Sequence, residues 1–307
     1  MSITYITHPT CLLHDMGRGH PEQPARLAAI DARLRDSDIA GHLRRVEAQP
    51  ASDALIIAAH SAQHLAQMVA AAPATGIAIL DADTRMNPHS LAAARLAAGA
   101  AVQGVDLLMT GATRRVFCAV RPPGHHAERE QAMGFCLFNN VAIAALHALE
   151  QHGLERVAIV DFDVHHGNGT QDIVAGDPRI LFCSSFQHPW YPFSGAGESA
   201  DNILNTPLPA GCSGAQLRAA VETEWLPHLA RFAPQLLIVS AGFDAHRADP
   251  LAEFELDEDD FAWLTRRVCE QAARSARGRV LSSLEGGYAL DALGSSVEAH
   301  LRAMLED

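Results

Sequence analysis

The stretch Val157-Ala158-Ile159-Val160-Asp161-Phe162-Asp163-Val164-His165-His166-Gly167-Asn168-Gly169-Thr170 constrains the fold more than any other part of the chain. Its apolar, β-branched start reads as a strand buried on both faces, as in parallel sheets of α/β proteins. It ends in carboxylates, imidazoles and glycines, and open α/β sheets hold their ligands at the carboxyl ends of such strands. On extended backbone Asp163 and His165 share a face, with Asp161 on the same side behind them. This is a metal-ligand geometry, and the other polar segments are read as its partners.

Three further strands end in the same way. Arg114 to Val120 leads into Arg121-Pro122-Pro123-Gly124-His125-His126-Ala127-Glu128, where the prolines stop any ladder and Gly124 permits a tight turn. Pro234 to Ser240 leads into Ala241-Gly242-Phe243-Asp244, and Arg279 to Ser283 into Leu284-Glu285-Gly286-Gly287-Tyr288. Two carboxylates and one imidazole with open positions suit a catalytic Zn²⁺ or Fe²⁺, because structural zinc is usually closed by protein ligands. A metal that lowers the pKa of water, a histidine that takes the proton, and a tyrosine hydroxyl that donates to an oxyanion together describe hydrolysis of an amide or related carbonyl bond.

The rest of the chain sets bounds. Its 307 residues, 48% of them hydrophobic, suit one α/β domain spanning residues 1–307. A formal net charge of -13 argues against a nucleic-acid partner and allows a cationic substrate. No signal peptide is expected at Met1 to Thr7, and no apolar run of membrane-spanning length. Cysteines 11, 118, 136, 183, 212 and 269 form no Cys-x-x-Cys pair, which fits a reduced, cytoplasmic setting.

Helices are expected from Pro24 to Asp36, from the N-cap Ser52 toward Ala71, and from Pro88 to Met109, the last rich in small residues for close packing. Another starts at Asn139 or Asn140 and stops at Gly153; Leu217 to Phe232 is bent or broken by Pro227; Asp257 caps Asp259 to Ala273; Asp291 to Leu305 closes the chain. Ile3 to Thr7 and Ile180 to Ser184 are further strands. The loop with His14, Asp15 and His20 reads as a connector, His60 and His64 as a partly exposed helical face, and Asp81 and Asp83 as loop charges. Gln187 to Gly195 is either surface packing or the wall of an apolar tunnel.

Taken together, Arg121 to Glu128, Gly134-Phe135-Cys136-Leu137-Phe138-Asn139-Asn140, Asp161 to Thr170, Ser240 to Ala245 and Glu285 to Tyr288 resemble the metal-dependent histone deacetylase family, nearest its class II type and the bacterial deacetylase-like amidohydrolases. The resemblance spans nearly the whole chain in the expected order. It implies the three-layer α/β/α arginase/deacetylase fold with a central parallel eight-stranded sheet. It also implies Zn²⁺ on Asp163, His165 and Asp244, with His126 as general base then acid. His125 would be its electrostatic partner oriented by Asp161, Asn168 would orient the second histidine, and Tyr288 would stabilise the oxyanion. Phe135 and Tyr191 match the walls of an acyl-lysine tunnel, Gly134 its floor, and Asp83 is the counterpart of the acidic rim residue. A structural K⁺ would use Asp161, the backbone of Asp163 and His165, and Ser184. Where many relatives have Pro-Gly-Ser/Thr-Gly, this chain has Pro192-Phe193-Ser194-Gly195, which reshapes the entrance.

The implied substrates are acetylated lysine in a peptide or protein, or an acetylated polyamine, with no nucleic acid or membrane partner. A non-enzymatic acyl-ligand-binding metal protein is the competing reading, and Tyr288 speaks against it. A binuclear arginase-like site would need more bridging carboxylates, and Asn168 disfavours it.

Overall fold

A computed structural model describes residues 2–197 and 199–306. In chain order its strands are β1 (Ile3–Thr7), β2 (Leu43–Glu47), β3 (Ala78–Ile79), β4 (Arg85–Met86), β5 (Arg115–Cys118), β6 (Val157–Asp161), β7 (Ile180–Gln187), β8 (Ile203–Leu208), β9 (Leu236–Ala241) and β10 (Val280–Leu284). β3 and β4 form a small antiparallel hairpin; the other eight form one sheet in the order β2-β1-β5-β10-β9-β6-β7-β8, with every neighbour parallel. This is the arginase/deacetylase arrangement implied by the motifs.

The sheet order positions the site. β5 and β6 follow each other in sequence, yet β10 and β9 insert between them. The four strands whose ends carry the polar motifs therefore lie side by side at the sheet's centre. All residues of β5, β6, β9 and β10 are buried, Arg115, Asp161, Ser240, Ser282 and Ser283 included, as in a parallel sheet covered on both faces.

Helices cover both faces. On one, Ser90–Met109 and Asn140–His152 pack along each other; a Cβ at Gly104 would meet Leu281, Val116 and Ile6. On the other, Ala25–Arg35, Glu258–Ser275 and Leu290–Leu305 pack together; His300 reaches Ser282 and lies against Phe117. Neighbouring residues 116 and 117, or 281 and 282, thus serve opposite layers, as strand alternation demands. Ser90–Met109 is long and apolar enough, by length and composition, to cross a membrane, contrary to the expectation from the sequence; 67% of its most apolar window is buried in the fold.

Several local expectations are corrected. The helix expected from Ser52 toward Ala71 is two, Asp53–Ala59 and Ala62–Ala71, because Ser61 caps the second by accepting from the His64 N–H. The irregularity near Pro227 falls ahead of it, as a wide turn over Val221–Trp225; Pro227 then sits in the first turn of Leu226–Phe232, where no helical N–H is needed. Edge strands β2 and β8 carry no apolar run that would announce them: β2 is Leu-Arg-Arg-Val-Glu, and β8 contains Pro207.

Candidate active site

The C-terminal ends of β5, β6, β9 and β10 bring together every residue of the expected metal and catalytic sets. His125, His126, Asp161, Asp163, His165, Asn168 and Asp244 are all buried. One donor atom each from Asp163, His165 and Asp244 lies within 4.8 Å of the others. His165 Nδ1 is 3.1 Å from Asp163 Oδ1 and 3.1 Å from Asp244 Oδ2. The remaining carboxylate oxygens are fixed by backbone donors: Gly286 N–H donates to Asp163 Oδ2 (2.8 Å) and Val164 N–H to Asp244 Oδ1 (3.1 Å). Gly242 and Gly286 are required here, since a Cβ at either would fall about 2 Å from Asp163 or Asp244. Two buried carboxylates and an imidazole that lines a cavity, pre-oriented in this way, fit a divalent cation of the zinc type.

The histidine pair differs in surroundings. His125 Nδ1 lies 3.0 Å from Asp161 Oδ2, and His126 Nδ1 lies 2.7 Å from Asn168 Oδ1. Burial opposes charge on His125, but Asp163 and Asp161 outweigh it and lift its pKa to about 10. Burial, then His125 and His165, push His126 well below the usual histidine value. Burial and its two histidine neighbours thus leave His126 neutral, despite the opposing hydrogen bond to Asn168. Asn168 Oδ1 accepts the Nδ1 proton, which leaves the Nε2 lone pair free, and Asn168 Nδ2 donates to Glu128 at 2.7 Å.

A cavity of about 320 Å³ leads to this centre, lined by Asp83, His126, Gly134, Phe135, His165, Trp190, Tyr191, Phe193, Leu251 and Tyr288. The Tyr191 ring stands edge-on to His126 at 5.2 Å, and Phe135 to Tyr288 at 5.9 Å. Gly134 and Phe135 both have positive φ; a Cβ at Gly134 would lie 2.3 Å from the His126 ring. Burial raises the Tyr288 phenol well above its ordinary pKa, and Arg26, 4.8 Å from the ring centroid, offsets this only in part. Tyr288 is therefore a protonated donor. Asp83 comes from the β3–β4 turn, which is tied to the wall by Phe135 N–H donating to Thr84 Oγ1 at 3.0 Å. Phe193, 74% exposed with φ +62°, stands at the mouth. Ser184 pairs with Asp161 across β6 and β7, and its hydroxyl lies 3.1 Å from His166 Nδ1.

The N-terminal loop is more than a connector, because it packs behind the cavity wall. Its His20 ring lies 4.8 Å from Phe135, while His14 and Glu22 are fully buried with Arg26 and Arg121. Burial alone would raise the Glu22 carboxyl; Arg121 and His14 bring it well below the usual carboxylate range. His60 and His64 are likewise buried and stacked at 4.9 Å, not exposed. His60 Nε2 accepts from Asn139 N–H (2.9 Å) and His64 Nε2 lies 2.8 Å from Leu137 O, so both brace the segment that carries Phe135.

Three supporting groups were not assigned a role from the sequence. Glu285 accepts from the N–H groups of Gly124 (2.6 Å) and His125 (3.1 Å), and burial raises its pKa to about 7. Its place inside the motif ending at Tyr288 was the available signal. Asp249 accepts from Tyr288 N–H (2.7 Å) and Ala289 N–H (3.1 Å), and Arg26 donates to the carbonyls of Gly287 and Glu285. Isolated loop and helix residues of this kind carry no periodic signature.

Fold and site together define a metal-dependent hydrolase of the α/β/α class. The histone deacetylase domain model matches residues 20–304, and the chain belongs to that family, whose enzymes hydrolyse amide bonds. An uncharacterised protein of Synechocystis is 44% identical over 300 residues, covering 96% of each chain. The histone deacetylase-like amidohydrolase of Pseudomonas aeruginosa is 39% identical over 88% of this chain and 73% of its own. Human polyamine deacetylase HDAC10 is 37% identical over 97% of this chain, which spans 46% of that longer protein; against rice histone deacetylase 10 the share is 44%. The solved structure of the HDA15 HD domain superposes with a TM-score of 0.92 at 34% identity, over 99% of this chain and 89% of that one.

Proposed function

We propose that the protein removes acetyl or related acyl groups from lysine side-chain amines. The observation that carries this reading is the apolar-walled cavity, with one carboxylate at its mouth and a proton donor, a proton acceptor and a metal-ligand set at its base. Phe135 and Tyr191 would flank the alkyl chain of an acyl-lysine, and Asp83 at the rim would accept from the substrate's backbone N–H.

A Zn²⁺, or Fe²⁺, held by Asp163, His165 and Asp244 would polarise the acyl carbonyl and make water more acidic. Tyr288 donates its hydroxyl proton in a hydrogen bond to the carbonyl oxygen and stabilises the oxyanion as water adds to the carbon. His126 Nε2 takes one water proton, then gives it to the nitrogen as the C–N bond breaks, so that the carboxylic acid and the free amine form, and the acid's proton then passes to the amine to give carboxylate and ammonium. Asn168, held by Glu128, keeps His126 in the required tautomer. His125, paired with Asp161, supplies fixed positive charge behind the reacting carbonyl. The adjacency of Asp161 and Ser184, with the backbone of Asp163 and His165, supports a K⁺ beneath the centre. Six buried, unpaired thiols support a cytoplasmic setting.

An acetylpolyamine is the second reading, favoured by the similarity, over 97% of this chain, to a longer protein named as a polyamine deacetylase. Against it, Leu251, Trp190 and Phe193 line the cavity, and Asp83 is the only carboxylate among its described lining residues. The deciding experiment compares kcat/KM of the zinc-loaded protein on an acetyl-lysine peptide and on acetylated putrescine and spermidine, with a chelated control. The peptide is expected to win. A polyamine preference would move the selectivity to the mouth around Tyr191 and Phe193, and no turnover of either would leave an acyl-ligand-binding protein.

A further inference from the structure

A second cluster of metal-ligand type lies toward the opposite, N-terminal ends of the strands. Asp106, in the last turn of Ser90–Met109, meets His147 and His152 of the adjoining helix Asn140–His152. Its Oδ1 atom is 2.7 Å from Nε2 of each imidazole, and the two rings stand edge to face with centroids 5.4 Å apart. These helices end just before β5 and β6, whose far ends carry the catalytic histidines and aspartates. The cluster is therefore separated from the cavity by the length of the strands.

We propose that Asp106 Oδ1, His147 Nε2 and His152 Nε2 form a second divalent-cation site, of the Zn²⁺ type, that clips the two helices together. Both imidazole Nε2 atoms converge on one carboxylate oxygen, which gathers three potential ligand atoms at one point. One divalent ion accepts all three atoms at once. Imidazole and carboxylate donors suit zinc and its borderline neighbours better than the all-oxygen shells of Mg²⁺ and Ca²⁺. On a tetrahedral ion with bonds of about 2.0–2.1 Å the donors stand roughly 3.3 Å apart, so each of the two 2.7 Å oxygen–nitrogen distances must open by about 0.6 Å. The side chains have room: Asp106 is 49% exposed, His152 23% and His147 10%, which also leaves solvent to complete the coordination. His147 Nδ1 is buried without a hydrogen-bond partner, so Nε2 is the ring's one paired nitrogen. The C-terminal ends of both helices add a field that favours positive charge here.

The test is equilibrium dialysis of the full chain against Zn²⁺ with elemental analysis, comparing wild type, Asp106→Asn and His147→Gln/His152→Gln. The site predicts one more Zn²⁺ per wild-type chain than per chain of either variant, with amide-hydrolase activity of all three proteins equal once the catalytic centre is loaded. Equal zinc content in wild type and variants overturns it. The count does not depend on turnover, so it stands or falls separately from the deacetylase reading; if the double variant does not fold, Asp106→Asn alone decides.

Discussion

At the scale of single residues, chemistry is set by which polar groups burial leaves charged. Tyr288 is kept protonated by its surroundings, so its role is donation rather than attack. Tyr288→Phe is expected to cut kcat by roughly 10²-fold or more, as loss of an oxyanion donor does, while metal analysis shows undiminished occupancy; full activity would refute the role. Asp163→Ala should behave differently and lose metal and activity together. A quieter case is His300, buried between Thr265 and Ser282, whose pKa burial lowers to about 3. An unfolded histidine takes its proton near pH 6.5, the native one only near 3. Its contribution to stability is therefore complete above pH 6.5 and declines as the pH falls toward 3. Between pH 7.5 and 5 the wild type should lose about 2 kcal/mol more than His300→Gln does. Urea unfolding at the two pH values measures the difference, and an equal loss in both proteins would contradict it.

At the scale of elements, helix Ser90–Met109 shows how small residues convert into position. A Cβ at Gly99 would lie 1.8 Å from the Gln49 carbonyl oxygen, a backbone atom that cannot turn aside. At Gly104 the nearest obstacle, 2.6 Å away, is the Leu281 side chain, which can. Gly99→Ala should therefore cost about 3 kcal/mol and Gly104→Ala about 1 kcal/mol. Chemical denaturation would order them, and a reversed order would mean that the helix shifts more freely than its packing suggests. The expected run of small residues was legible in the sequence; which glycine touches backbone and which touches a side chain was not, because that depends on the segment 48–51 docking from outside the helix.

At the scale of the whole molecule, the apolar sheet and the metal-ligand set are separable. The strands are packed by their own buried apolar residues, whereas Asp163, His165 and Asp244 cluster at their ends, with His165 lining the cavity. Chelation is expected to abolish hydrolysis, leave the far-ultraviolet circular dichroism unchanged, and lower stability by about 4 kcal/mol relative to protein with free ion at 1,000 times Kd. Loss of secondary structure on chelation would instead make the metal part of the fold.

The sequence by itself determined the strand ends and their chemistry. Apolar runs that stop abruptly in Asp, His, Gly and Tyr are local patterns, so Asp163, His165, Asp244, His125, His126 and Tyr288 could be read before any coordinates. Only the tertiary structure decided their adjacency, by inserting β9 and β10 between β5 and β6. It alone decided, too, that His20, His60 and His64 belong to the wall and its bracing, and that Glu285 and Asp249 hold the histidine and tyrosine loops from behind. The physical reason is range. A strand's burial is written in its own alternation and composition, whereas the partner of a buried polar atom is chosen by whichever distant segment the fold brings within 3 Å of it.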